Sequence, residues 1–188
     1  MKKFGIACLF ATLLLSGCLS PENDRLTVTP IGIKAGEEAF AEINDQDIAA
    51  FHLDGKLSKA YLLRWVEFLP NHKERTLFSM EISPDDYDTT LRITQSSTAK
   101  YIRFGASFEG GIMRANEALK QKPVALSMQA QGDTFTISDY DVLTLRRLST
   151  NTGSEIKTSS FSDIHGPQDI DVKKDERVFA LVLSPLES

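Results

Sequence analysis

Short segments in which apolar and polar residues alternate recur along most of this chain. Residues 100–108 are the clearest example, because every second residue is apolar from Ile102 to Phe108. The same alternation appears in residues 77–83 and 124–130. A period of two residues is typical of half-buried strands. We therefore predict an all-β fold, an antiparallel β-sandwich of the immunoglobulin or transthyretin type with one short helix.

Two segments are apolar at nearly every position instead of at every second one. These are residues 61–69 and 178–183. Strands of this composition are buried on both faces, so we expect both to be central, with the second one closing the core. Further strands are predicted at 134–138, after a tight turn at Gly132-Asp133, and at 142–148.

One segment predicts a helix. Residues 112–122 follow Gly110-Gly111 and contain Met, Arg, Ala, Leu and Lys, all of which are good helix formers. Pro123 follows them and would stop a helix. We therefore place the short helix of the sandwich at 112–122, between two strands.

Residues 37–53 are ambiguous. Phe40, Ile43 and Phe51 could form the apolar side of an amphipathic helix. The polar run 44–47, however, stands where such a helix would need apolar residues. We therefore prefer strand, turn, strand for 37–53, with the helix as the alternative.

Residues 149–176 differ in composition from the rest of the chain. They are rich in Ser and Thr, poor in large apolar residues, and longer than an ordinary connection in a compact domain. We predict a flexible insert without chemistry, with a loop that contacts a partner as the alternative.

The N-terminus carries a motif that bears on location. Lys2 and Lys3 precede an apolar run that ends in Leu15-Ser16-Gly17-Cys18. This arrangement resembles the lipobox of a bacterial lipoprotein precursor. The resemblance implies a signal peptide at 1–17 and acylation of Cys18.

In lipoproteins of this kind, the residue after the cysteine influences sorting. It is Leu19 here and not Asp, which by resemblance favours the outer membrane, with the domain facing the periplasm. A tether at 18–24 would then join the acyl chains in the membrane to a single domain at 25–188. The tether would span at most about 20 Å.

Processing of this kind would also change composition and charge. Cys8 would be lost and Cys18 acylated, so the mature domain would contain no thiol and no disulfide. Cleavage removes two of 21 basic residues and none of 26 acidic ones, which changes the net charge from −5 to −7. An acidic chain without a basic stripe argues against nucleic acid.

The histidines and carboxylates give only weak metal candidates. His52 should point outward from a strand, and His72 should lie in a hairpin turn. His165 stands among aspartates, but nothing fixes them on one face. Asp85, Asp86 and Asp88 resemble part of a calcium loop without its glycine and distant glutamate. We therefore expect no metal and no cofactor.

No catalytic motif is complete. Gly105-Ala106-Ser107 begins like a nucleophile elbow, but Glu109 occupies the position of the closing glycine and Ser107 lies in an alternating strand. No phosphate loop, dinucleotide fingerprint or paired-histidine motif occurs. We expect no catalytic residue and no enzymatic activity.

The preferred hypothesis is a protein-binding or assembly module held at the envelope. The acidic N-terminal portion would complement a basic partner. Asp24-Arg25-Leu26 after the lipobox resembles the periplasmic immunity lipoproteins of type VI secretion, which neutralise incoming toxins. A third hypothesis is a sugar binder in which Tyr61, Trp65 and Tyr101 stack on the ligand. An open cleft lined by Trp65 and Tyr101 would favour ligand binding, whereas burial of these two rings would favour partner recognition.

Overall fold

The computed structural model describes residues 25–151 and 160–186. The predicted signal peptide, Cys18 and the tether lie outside the described residues. In chain order the elements are β1 (Thr27–Pro30), α1 (Ala35–Ile43), β2 (Gln46–Lys56), β3 (Tyr61–Leu69), β4 (Lys73–Ile82), β5 (Asp86–Ser97), β6 (Tyr101–Phe108), β7 (Gly111–Ala118), β8 (Ala125–Ala130), β9 (Phe135–Thr136), β10 (Asp141–Ser149) and β11 (Glu176–Pro185).

The strands form two antiparallel sheets. The six-stranded sheet has the order β7-β6-β5-β2-β1-β9, and the five-stranded sheet has the order β4-β3-β11-β10-β8. Every recorded strand pair is antiparallel. The predicted all-β, sandwich-like fold with one helix is therefore confirmed. None of the helices in the described residues is long and apolar enough to cross a membrane.

Aromatic side chains from both sheets meet in the core. The rings of Trp65 on β3 and Phe104 on β6 lie 4.5 Å apart, and Phe179 on β11 lies 5.2 Å from Phe104. β11 is the middle strand of its sheet, between β3 and β10. The prediction that 61–69 and 178–183 are central strands is confirmed.

The outer face of the five-stranded sheet is buried too. Val66, Phe68 and Val182 form a second cluster there with Ile164 and Ile170. The last two belong to residues 160–175, here called the cover segment, which contains two short 3-10 turns at Phe161–Asp163 and Pro167–Asp169. This second cluster explains why β3 and β11 are apolar on both faces.

The cover segment occupies most of the described part of the predicted insert. Its two isoleucines are buried, so this part of 149–176 packs against the sheet. Residues 152–159 of the insert lie outside the described residues, and flexibility there stays a prediction.

The predicted helix at 112–122 is wrong. Residues 111–118 form β7, which pairs with β6 along its length. Glu109 and Gly110 both have positive φ, 48° and 79°, which is the backbone of a tight two-residue hairpin turn. Met113 enters the core from this strand. Strand pairing and core burial here outweigh the helix propensity of single residues, which is a weak preference.

The preferred strand, turn, strand assignment for 37–53 is wrong in its first half. α1 runs from Ala35 to Ile43, the chain turns at Asn44 and Asp45, and β2 begins at Gln46. Asp45 has φ of 50°, a left-handed conformation that Asp adopts more readily than most residues. The polar run 44–47 therefore marks the end of a helix and the start of a strand.

Candidate functional site

Helix α1 presents large apolar side chains to solvent. Phe40 is 63% exposed and Ile43 is 82% exposed, whereas Ala41 is the one buried residue of the helix. Residues three apart on a helix are neighbours on its surface, so Phe40 and Ile43 form one patch, here called the helix patch. Exposed apolar patches with a polar rim are typical of protein contact surfaces.

The surroundings of the helix patch are acidic. Glu37 and Glu38 lie in the first turn of α1, Glu42 lies in its last turn, and Asp45 and Asp47 follow the helix. Glu37 forms an ion pair with Arg92 of β5, with 3.4 Å between Oε1 and Nε. Asp47 is paired with Arg146 of β10, and the carboxylates of Glu38, Glu42 and Asp45 give this side of the molecule a negative character.

An open groove of about 630 Å³ lies between α1, β2 and β8. Its lining combines carboxylates with apolar side chains: Glu38, Glu42, Asp47, Ile48, Met128 and Ala130. Beside it, Leu126 of β8 is about half exposed, although its paired residue Leu148 is buried in the core. The groove therefore has a mixed lining, in which carboxylates stand beside apolar side chains.

Strand edges border this groove. β8 is the last strand of the five-stranded sheet. β1 pairs with β2 from Asp54 back to Phe51, and the amide of Ile31 then donates to the carbonyl of Ala50. In the described part of the chain, residues 46–49 of β2 pair with β5 alone. Strand edges of this kind accept a further extended chain.

A buried guanidinium fixes the start of β2. The Arg146 side chain is only 4% exposed and donates through Nη1 to the carboxylate of Asp47. Its Nη2 donates to Ser97 Oγ at 3.2 Å. Buried charge-assisted hydrogen bonds of this type are stronger than neutral ones. Arg146 therefore holds one wall of the groove in place from inside the sandwich.

An ion-pair network connects the two sheets at the edge of the sandwich formed by β4 and β7, opposite the edge formed by β8 and β9. It consists of Glu67, Arg75, Glu117 and Arg177, one each from β3, β4, β7 and β11. Arg75 and Arg177 each bond to both carboxylates. Arg177 reaches Glu67 Oε1 at 2.6 Å, and both arginines reach Glu117 Oε1 at 2.8 Å. The network joins the two sheets at strands β4 and β7.

The pKa values in this network follow from these contacts. Hydrogen bonds to Glu67 and Glu117 raise the pKa of Arg75. Burial alone would raise the pKa of Glu117, but hydrogen bonds from Arg75 and Arg177 outweigh it and lower the pKa. A carboxylate stabilised in its charged form is a poor general base near neutral pH. Glu117 is therefore poorly suited to act as a general base, although all four residues of the network line an open pocket of about 610 Å³.

The three rings proposed for sugar stacking are not on one open surface. Trp65 is 0% exposed and Tyr61 is 2% exposed, because both face the core from β3. Tyr101 is 47% exposed and lies on β6 of the other sheet. A buried ring has no free face for a ligand, so Tyr61 and Trp65 cannot stack on a sugar in this structure.

The histidines lie in three separate places. His72 is exposed in the hairpin turn between β3 and β4, with φ of 58°. His165 is exposed in the cover segment, and its amide donates to Asp169 at 2.8 Å. His52 lies on β2, with its Nε2 3.4 Å from the carboxylate of Asp88 on β5.

The aspartates considered for calcium do not act together. The carboxylate of Asp85 accepts a hydrogen bond from the amide of Asp86 at 2.8 Å, as in a turn. Asp88 instead groups with His52 and Asp54 in the described part of the chain. Ser107, the candidate of the incomplete elbow motif, lies within β6 and has no strand–turn–helix around it.

The helix patch and the ion-pair network were not predicted as sites. Phe40 and Ile43 were visible as a helical spacing, but spacing does not reveal which side of a helix faces the protein. Glu67 carries a clearer signal, because it is the one acidic residue of a strand whose other residues, apart from Arg64, are apolar or aromatic. A charge at such a position is usually paired, as it is here.

Comparison with known proteins yields no matching family model, no similar curated protein and no similar solved structure.

Proposed function

We propose that this chain is a non-catalytic, protein-binding lipoprotein of the cell envelope, and that it binds its partner through the helix patch and the adjoining groove. The observation that carries the proposal is the exposure of Phe40 and Ile43 on α1. Large apolar side chains exposed side by side cost solubility, and they are typical of surfaces that become covered. Interfaces owe most of their binding energy to a few such buried side chains.

The chemistry of the groove supports a partner that is basic and partly apolar. Glu38 and Glu42 line it with Ile48 and Met128, while Asp47 in the same lining is paired with Arg146. Opposite charges across an interface accelerate encounter and exclude wrong partners, while the apolar residues supply affinity. Within residues 25–151 and 160–186, residues 46–49 of β2 pair on one side only, so an extended segment of the partner could add to the sheet here.

A small-ligand function has less support. Two of the three rings proposed to stack on a sugar are buried in the core. Protein recognition therefore fits the exposed apolar residues better. An immunity role is one special case, and it requires that the partner be a secreted toxin.

The binding surface is tested by site-specific photocrosslinking in intact cells. A photoreactive phenylalanine analogue replaces Phe40 in one variant and Ile112 in a second. Ile112 is a matched control, because it is also exposed but lies on β7, the edge strand of the six-stranded sheet farthest from β1. We expect one specific protein to be crosslinked from position 40 and not from position 112. The same crosslinks from both positions, or none from position 40, would contradict the proposal.

A loss-of-binding variant gives the second arm of this test. Phe40→Ser with Ile43→Ser removes the helix patch without touching the core, so the folded state should persist. We expect recovery of the crosslinked protein in a pull-down to fall at least about tenfold, which corresponds to about 1.4 kcal/mol. Ile112→Ser should leave recovery unchanged.

The anchor is proposed from the lipobox at Leu15-Ser16-Gly17-Cys18. More than one acyl chain is needed for stable attachment to a membrane, and lipoproteins of this type carry two or three. Cys18→Ser should therefore release soluble protein or leave an uncleaved precursor. Membrane fractionation identical to that of the wild type would overturn the anchor and leave the binding proposal intact.

A further inference from the structure

Three potential metal ligands converge on the outer face of the six-stranded sheet. His52 and Asp54 are two residues apart on β2, so both point away from the core side on which Phe51 and Leu53 are buried. Asp88 on β5 is the direct pairing partner of Asp54. One ligand atom from each of the three side chains lies within 4.8 Å of the others.

The pairing of Asp54 with Asp88 needs an explanation. Like charges directly opposite each other on neighbouring strands destabilise a sheet. The backbones of Asp54 and Asp88 cannot easily move apart, because Asp54 is paired with Thr27 of β1 on one side and with Asp88 of β5 on the other. A cation between the two carboxylates would turn this repulsion into attraction.

The distance between the side chains of His52 and Asp88 also fits a shared cation. His52 Nε2 lies 3.4 Å from Asp88 Oδ1, which is longer than a good N–H···O hydrogen bond of about 2.7–3.2 Å. Two ligands of a tetrahedral zinc ion, each about 2.0–2.1 Å from the metal, lie about 3.3–3.4 Å apart. The pair therefore already has the spacing of two ligands on one ion.

We propose that His52, Asp54 and Asp88 form a binding site for a divalent transition-metal cation of the zinc type. Imidazole nitrogen together with carboxylate oxygen suits Zn²⁺ and its neighbours, whereas Ca²⁺ and Mg²⁺ prefer ligands that are all oxygen. The three side chains supply three ligands, and a water molecule or a partner's side chain takes the fourth position.

The site is accessible and rests on a rigid frame. The side chains of His52 and Asp88 are 38% and 85% exposed, so a cation can reach them from solvent. Their backbones belong to paired strands and not to a loop, which limits the reorganisation that binding requires. The paired neighbours of His52 are the uncharged Thr29 and Thr90. Lys56, two residues beyond Asp54 on β2, is a basic residue on the same face of the sheet.

The test is calorimetric titration of the purified full chain in detergent with ZnCl₂. We expect one zinc ion per chain. His52→Ala and Asp54→Asn should each weaken binding at least about tenfold, whereas the matched control His72→Ala should bind as the wild type does. All four proteins have the same cysteines, so thiol binding cannot explain a difference among them. Absence of saturable zinc binding in the wild type, or equal binding by His52→Ala, would overturn the proposal.

Melting temperatures measured with and without zinc distinguish a variant that has lost the zinc site from one that no longer folds. Without zinc, Asp54→Asn should melt at a higher temperature than the wild type, because it removes the repulsion between Asp54 and Asp88. Added zinc should raise the melting temperature of the wild type and not that of Asp54→Asn. An equal zinc-dependent rise in both proteins would overturn the assignment, as would Ca²⁺ binding as tight as that of Zn²⁺.

Discussion

Arg177 Nη2 lies 2.8 Å from Glu117 Oε1, and this contact joins the middle strand of one sheet to the edge strand of the other. β4 and β7 stand next to each other at this edge, but they belong to different sheets and do not pair as strands. Charged side chains therefore close the sandwich here in place of backbone hydrogen bonds. The arrangement makes the edge sensitive to single substitutions and to acid.

Glu67→Gln should destabilise the fold. The Glu67 side chain is only 7% exposed and receives both arginines. Removal of its charge leaves two guanidinium groups partly unpaired. Breaking a buried ion pair costs about 3–5 kcal/mol, and the partial exposure of the arginines reduces this to about 1–3 kcal/mol.

Urea denaturation measures the free energy of unfolding of Glu67→Gln and of the wild type. The slope of this free energy against urea concentration should be the same for both proteins. Glu81→Gln is the matched control, because Glu81 is an exposed residue of β4 and its loss should cost less than about 0.5 kcal/mol. Equal stability of the two variants would show that the network contributes nothing.

The stability contributed by Glu117 should disappear in acid. The pKa of Glu117 is lowered in the folded protein by Arg75 and Arg177, which together outweigh its burial. The contribution is therefore fully present above the unfolded pKa of about 4.3. It is lost as the pH falls from there through the lower folded pKa, because the unfolded chain takes up the proton first.

Unfolding free energies of the wild type and of Glu117→Gln, measured between pH 7 and pH 3, check this. The wild type should be more stable at pH 7, and the difference should shrink as the pH falls below about 4.3. A difference that stays constant over this range would rule out a lowered pKa at Glu117.

The strands could be predicted because burial of one or both faces of a strand determines where its apolar residues stand in the sequence. β6 alternates because one of its faces is in the core, and β3 and β11 do not alternate because the cover segment buries their outer face. The composition of the cover segment, in contrast, predicts an insert. Its two anchoring residues, Ile164 and Ile170, are isolated among polar residues and leave no periodic pattern.

The helix could not be placed from sequence for a related reason. In α1 the large apolar residues Phe40 and Ile43 point to solvent, so the usual inference from apolar spacing to the buried side does not apply. In β7 the inward residues Met113 and Ala115 are also good helix formers. The two-residue turn at Glu109-Gly110 and the pairing with β6 determine the structure there.

The ion-pair network and the zinc-type cluster depend on tertiary pairing. Arg177 is 110 residues away from Glu67 in sequence, and no spacing rule links residues so far apart. In the sequence, Asp88 groups with Asp85 and Asp86 because the three lie within four consecutive residues. Register brings it to Asp54 and His52 instead.

Trp65→Ala should distinguish a core role from a ligand-stacking role. Trp65 is fully buried against Phe104, and truncation of such a residue costs about 3–5 kcal/mol. Tyr101→Ala is the matched control, because Tyr101 was the third proposed stacking residue but is about half exposed. It should cost less than about 1 kcal/mol. Circular dichroism during urea unfolding measures both, and a Trp65→Ala protein as stable as Tyr101→Ala would contradict the burial of Trp65.

Ile170→Ala tests whether the cover segment is an integral part of the domain. Ile170 is 1% exposed and packs in the second cluster on the outer face of the five-stranded sheet. Its truncation should cost about 2–5 kcal/mol.

Ile112→Ala is the matched control for this truncation, because it removes the same atoms from an exposed site on β7. It should cost less than about 0.5 kcal/mol. Limited proteolysis adds a local readout: Ile170→Ala should be cut within 160–175 sooner than the wild type, because loosened backbone is the preferred site of cleavage. If Ile170→Ala and Ile112→Ala unfold at the same urea concentration, the segment contributes no stability and behaves as the insert that its composition suggested.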